Sequence, residues 1–163
     1  MNPDMARSHP QGLPHIVAVF CLFSFVFHFA WEILQAPLFA GMSDARHWTA
    51  TLFCLKATVG DVVIAAVSFA VAAWLGNTIA WFVNPSRRAT AAYIATGVLI
   101  TVLFEWYAVW EGRWGYSDLM PIIPLLRVGL SPVLQWVLVP FGVIYFLRHH
   151  NFITLVPDAR TRD

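Results

Sequence analysis

The sequence predicts an all-α fold: an integral membrane four-helix bundle with a proline-broken re-entrant or interfacial segment before the last helix. Three observations carry this. Of 163 residues, 59% are hydrophobic and only 12% charged, where a soluble domain carries about 25% charged residues. Four apolar runs are each long enough to cross a bilayer, which takes about 20 residues in helical form. The ionisable residues inside those runs, His28, Glu32, Asp61 and Glu105, crowd towards one side of the membrane that the runs would span. The whole chain, 1–163, reads as a single transmembrane domain with flexible tails over 1–13 and 150–163.

The first run, 15–35, is too long for a signal-peptide core, and no small-x-small cleavage pattern closes it. It is a membrane span that stops before Pro37, whose ring blocks a regular helix. The second run, 50–75, stops at Gly76-Asn77. The third covers 89–110. The fourth covers 131–147, opens on Ser131-Pro132, a good helix-start pair, and contains Pro140, which is expected to kink it. Between the last two runs, Gly112 to Pro132 is too apolar for an ordinary loop, yet Pro121, Pro124 and Gly129 interrupt it. Unsatisfied backbone is not tolerated against lipid, so this piece is expected at the interface or folded back as a lid.

Arg7, Arg87, Arg88, Arg148, Arg160 and Arg162 belong to the two termini and the middle loop, so the positive-inside rule puts both termini in the cytoplasm. Trp48, Trp81, Trp110 and Trp114 lie near span ends, as interfacial anchors do. Trp31, Trp106 and Trp136 lie deeper and are expected to pack against lipid, with a place in a site as the alternative. The net charge of +1 leaves no electrostatic basis for nucleic-acid binding. Cys21 and Cys54 lack paired spacing and read as small packed side chains.

At 100° per residue each span shows a polar face. Cys21, Ser24, His28, Glu32 and Gln35 share one arc of the first span, and Thr51, Cys54, Thr58, Asp61 and Ser68 share one of the second. Lys56, the single lysine, points nearly opposite and is expected to snorkel away. Gly97, Thr101 and Glu105 align on the third span; Ser131, Gln135 and Gly142 align on the fourth. At 1.5 Å per residue, Glu32 and Gln135 lie roughly 6 Å below the outer end of the bundle, Glu105 roughly 9 Å, His28 roughly 12 Å and Asp61 roughly 10–16 Å. One outward-opening polar chamber accounts for all five.

Hydroxyls between membrane helices are ordinary glue, worth about 0.6 kcal/mol each. Three carboxylates are poor glue, because a charge in hydrocarbon costs about 2.5–3.5 kcal/mol and close carboxylates oppose each other's ionisation. His28 and Glu32, one turn apart, suit either of two chemistries. A carboxylic acid beside an imidazole can deliver a proton, or the pair can supply two ligands to a metal completed by Asp61 or Glu105. A second histidine at that level is missing, since His15, His149 and His150 fall on the other side and His47 in the first outer loop. No metal or cofactor is assigned. Arg113 and Arg127 either clamp an anionic headgroup or form surface ion pairs with Glu111 and Asp118.

The stretches FHFAWEILQAPLFAGM (27–42), CLKATVGD (54–61) and EGRWGYSDLMPIIP (111–124) resemble a group of small four-span bacterial membrane proteins. A second, local resemblance is to membrane carotenoid (lycopene) cyclase domains, through Arg113-Trp114-Gly115-Tyr116. Those domains carry paired glutamates at the start of a following span, where this chain has Ser131-Pro132-Val133-Leu134-Gln135. The first resemblance implies a bacterial inner membrane; the second implies acid chemistry on an isoprenoid or lipid tail.

Together these readings lead to an expected membrane enzyme that performs proton transfer on an isoprenoid or other lipid. Glu32 and Asp61 would be its acid and base, His28 would tune Glu32, and Glu105 would share or position a proton. Gln35, Arg113, Trp114, Tyr116, Arg127 and Gln135 would bind substrate. The alternatives are a non-catalytic membrane subunit or assembly factor with a membrane-protein partner, or a metal-binding or ion-conducting protein.

Overall fold

The structure, a computed structural model, describes residues 13–149. The expected tails fall outside the described residues, apart from Leu13, which opens the first helix. The fold is all-α, with four helices: α1 (Leu13–Gln35), α2 (His47–Gly76), α3 (Arg87–Trp110) and α4 (Leu130–His149). A two-residue hairpin, β1 (Ile122–Ile123) and β2 (Val128–Gly129), precedes α4.

Each helix ends for a local reason. After α1, Pro37 sits in a single 3₁₀ turn, Ala36–Leu38, from which the chain leaves extended at Phe39. Asn77 closes α2 in the left-handed conformation (φ 53°), its N–H reaching back to the Ala73 and Trp74 carbonyls. Ser86 caps α3 by accepting the Ala89 N–H at 3.1 Å. Pro140 is carried within α4 and is buried.

Packing follows the ring α1–α2–α3–α4, with α1 against α2 and α4, and α3 against the same two neighbours. All four helices are long and apolar enough to cross a membrane, and the outward faces are apolar as well. Leu34, Trp74 and Trp110 are 76%, 75% and 80% exposed, which only a lipid surround makes tolerable. This is a multi-pass membrane protein.

The end of the bundle holding the start of α3 is sealed by aromatic packing. Phe20, Phe69, Trp81 and Tyr93 interlock with ring centroids 4.6–6.2 Å apart. Trp81, expected as an interfacial anchor, is instead a core residue, 2% exposed, because the α2–α3 turn folds it inward onto Phe69. Trp136, expected against lipid, is instead fully buried. Its indole occupies the space left by the missing side chain of Gly97 on α3, where a Cβ would overlap the ring.

The opposite end is covered by the proline-broken segment, which forms a lid. Its hairpin pairs Ile122 with Gly129 and Ile123 with Val128. The lid is stitched to the α1–α2 connection by a Phe39–Tyr116 bridge, by the Ala40 N–H on the Gly115 carbonyl (2.9 Å) and by the Ser117 N–H on the Leu38 carbonyl (2.9 Å). The Trp106 indole N–H donates to the Leu126 carbonyl at 2.6 Å, tying the hairpin turn to α3. Backbone that lipid would leave unsatisfied is thereby paired within the protein.

Candidate functional site

Under the lid, the polar faces of α1, α2 and α4 meet around two glutamine amides. Gln135 of α4 uses both amide hydrogens, donating to Asp61 Oδ2 at 3.0 Å and sharing a 2.7 Å contact with His28 Nδ1. Its oxygen accepts from Gln35 Nε2 at 3.3 Å. The other hydrogen of Gln35 goes to Glu32 Oε1 at 2.6 Å. The Gln35 oxygen in turn accepts from Ser131 Oγ at 2.8 Å and Trp31 Nε1 at 3.2 Å. Every donor and acceptor of both amides is used, and that assigns their orientation. Flipping Gln135 would point its oxygen at the Asp61 carboxylate.

The same network places the histidine: His28 Nδ1 meets the Gln135 amide at 2.7 Å, while Nε2 is buried with no hydrogen-bond partner among the described residues. Asp61 is the one carboxylate within ion-pair range of His28, at 3.6 Å. The structure therefore sets His28 against Asp61 and Gln135, where the sequence spacing pairs it with Glu32. Beneath the imidazole lies Trp136, with ring centroids 5.0 Å apart.

Glu32 of α1 and Asp61 of α2 are linked across the helix interface through the Gln35 and Gln135 amides, and both line the same cavity. Glu105 of α3 stands apart, bound by Tyr116 Oη at 2.5 Å and Trp114 Nε1 at 3.3 Å from the lid. Burial, and then the Glu105 carboxylate it donates to, push the Tyr116 hydroxyl above the ordinary phenol range. Tyr116 is thus held as a proton donor. Gly129 leaves room for it, since a Cβ there would come within 3.0 Å of the Tyr116 ring.

All three carboxyl side chains line one cavity of about 750 Å³, within the size range of small-molecule sites. Gln35, Gln135, Arg113 and Trp114 line it too. Its roof is aromatic: the Trp114 indole lies 5.9–6.4 Å, centroid to centroid, from Phe39, Phe53 and Phe104. It reaches the protein surface between α2 and α3, where Gly60, Val63 and Phe104 are both cavity lining and exposed.

Of the expected site residues, His28 and Tyr116 act on the cavity through Gln135 and Glu105, and Arg127 is set apart from it. Arg127 occupies the hairpin turn with φ 54°, its N–H on the Ile123 carbonyl and its side chain exposed. Arg113 is not paired with Glu111 or Asp118; it donates to Tyr107 Oη at 3.0 Å and lies over that ring at 5.0 Å. Lys56, read from the sequence as pointing away, lines the cavity. Its position 140° from Asp61 is compatible with this because the groove between two helices subtends a wide arc. The Ser131 contacts to Gln35 and Trp31 are not visible in the sequence, as they join α1 to α4 across 96 and 100 positions.

Among the described residues no group of three or more His, Cys, Asp or Glu side chains is placed to hold a metal ion. Glu32, Asp61 and His28 Nδ1 instead meet the two glutamine amides, and Glu105 meets Tyr116 and Trp114. Both cysteines are free thiols, with Cys54 buried and its Sγ 3.5 Å from the Glu32 carbonyl. No protein-family model, curated protein or solved structure matches this chain.

Proposed function

We propose that this protein is a membrane enzyme that moves a proton to or from an isoprenoid or other lipid held in the cavity between α2 and α3. The observation that carries the reading is the placement of two carboxyl side chains, Glu32 and Asp61, linked through the Gln35 and Gln135 amides, on the wall of an otherwise largely apolar cavity that opens towards lipid. Structural glue has no need of a cavity, and two acids on one cavity wall are costly to keep for packing alone. Two carboxyl groups on one wall can supply the acid and the base of a proton transfer from one site.

The aromatic roof suits the same chemistry. Protonating a carbon–carbon double bond develops positive charge on carbon, and the faces of Trp114, Phe39, Phe53 and Phe104 stabilise a cation without reacting with it. Glu105, fixed by Tyr116 and Trp114, adds a third carboxyl group to the cavity lining. Gln135 holds Asp61 in place from below and links it to His28. The arginines of the middle loop and the termini favour a bacterial inner-membrane orientation with both termini in the cytoplasm, the chamber opening to the other face.

The test is mass spectrometry of lipids retained by gently purified protein, with Gly60→Leu as the control. A Cβ on Gly60 meets nothing within 4 Å, so a leucine fits the fold while its side chain fills the groove. The expected result is a defined lipid carried by the native protein and lost from the folded Gly60→Leu variant. A native protein that carries no defined lipid, and instead holds a stoichiometric protein partner, would replace the enzyme with a membrane subunit.

A further inference from the structure

We infer that the lipid taken by this cavity has an anionic, phosphate-like head, held at the rim by Lys56 and Arg113. The inference rests on the reading of the cavity as a lipid site and adds the head chemistry. Lys56 is the only lysine in the chain, and it lies on a membrane-crossing helix, about 13 Å along α2 from its start at 1.5 Å per residue. A cation at such a position is costly unless something offsets it. Among the described residues Lys56 forms no hydrogen bond or ion pair, and the only acid–base contact within 4.0 Å joins His28 to Asp61.

Arg113, the second cation on the cavity wall, is held by the uncharged phenol of Tyr107. That bond uses one guanidinium nitrogen, which leaves donors of the fork available to a ligand. The acids of the same cavity are committed inward: Glu32 to Gln35, Asp61 to Gln135, Glu105 to Tyr116 and Trp114. Charges are therefore segregated, with satisfied acids on the inner wall and unpaired cations on exposed rim positions. A phosphate monoester complements two such cations, accepting charge-assisted hydrogen bonds from both. Its tail would run past Gly60 and Phe104 towards lipid, with its first carbons beside the carboxyl pair.

Binding to the detergent-solubilised full chain tests this with three probes: farnesyl monophosphate, farnesol and inorganic phosphate. The expected result is stoichiometric binding of the monophosphate, at least tenfold weaker binding of the alcohol, and no binding of phosphate alone. Lys56→Gln and Arg113→Gln each weaken the monophosphate about tenfold, equivalent to ~1.4 kcal/mol, and leave farnesol unchanged. Both positions are exposed, and unchanged thermal unfolding confirms that the variants are folded. Equal binding of alcohol and monophosphate, or equal weakening of both by the substitutions, would overturn the inference. Phosphate binding as tightly as its farnesyl ester would also overturn it, by removing the lipid. The readout is independent of turnover: an Asp61→Asn protein that binds the monophosphate yet keeps full activity would sink the proton-transfer reading and leave head recognition standing.

Discussion

Asp61→Asn and Glu32→Gln, made singly, leave the bundle folded and lower turnover by about 10²–10⁴-fold, the range that one general acid or base contributes. The folded outcome follows from the hydrogen bonds. An amide at position 61 would retain an oxygen to accept from Gln135, and an amide at position 32 would retain one to accept from Gln35. Neither glutamine therefore loses its partner. What each substitution removes is a group able to give and take a proton, since an amide does neither at neutral pH. Thermal unfolding of the variants within a few degrees of the native protein, with activity lost, is the expected pair of results. Full activity in either variant would remove that residue from the proton-transfer step.

Gly97→Ala is expected to have the largest effect on folding of any single methyl addition. The Trp136 indole lies where the new Cβ would be, and Trp136 is fully buried between α3 and His28. Overpacking in a tight core typically costs 1–3 kcal/mol, and here neither the ring nor the helix backbone has room to give, so a loss of about 3 kcal/mol is expected. The variant should aggregate or unfold at markedly lower temperature in detergent. Pairing it with Trp136→Leu should recover folded protein, because the two residues share one volume. A Gly97→Ala protein as stable as the native one would show that α3 and α4 do not meet as closely as the Gly97–Trp136 packing requires.

The helices are legible in the sequence to within three residues at each end, and the residual differences have one cause. Hydropathy marks the hydrocarbon portion of a span, whereas the helix continues through polar ends such as His47-Trp48-Thr49, Arg87-Arg88 and Arg148-His149. The hairpin is not legible, because two residue pairs are too short for any periodicity. Spacing alone places Ser24, His28, Glu32 and Gln35 on one face, and all four are buried. Spacing within a helix says nothing of its neighbour, however, so it matches His28 to Glu32 on its own helix and not to Asp61 on the next. The two glutamines read from the sequence as binding groups; their use as the junction of the network depends on contacts among α1, α2 and α4. Trp81 and Trp136 show a related limit, since the position of a tryptophan along a span does not say whether it faces lipid or the core. Gly97 at the facing position is the one local sign that Trp136 packs inward.

The central claim is proton transfer to a lipid by the Glu32–Asp61 pair, and hydrogen isotope exchange tests it most directly. Membranes containing the native protein are incubated in deuterium oxide, and their lipids are extracted and weighed by mass spectrometry. Deuterium in a carbon-bound position of a defined lipid is expected, present with the native protein and absent with Asp61→Asn. Lipids that take up no label beyond the Asp61→Asn level would contradict the claim.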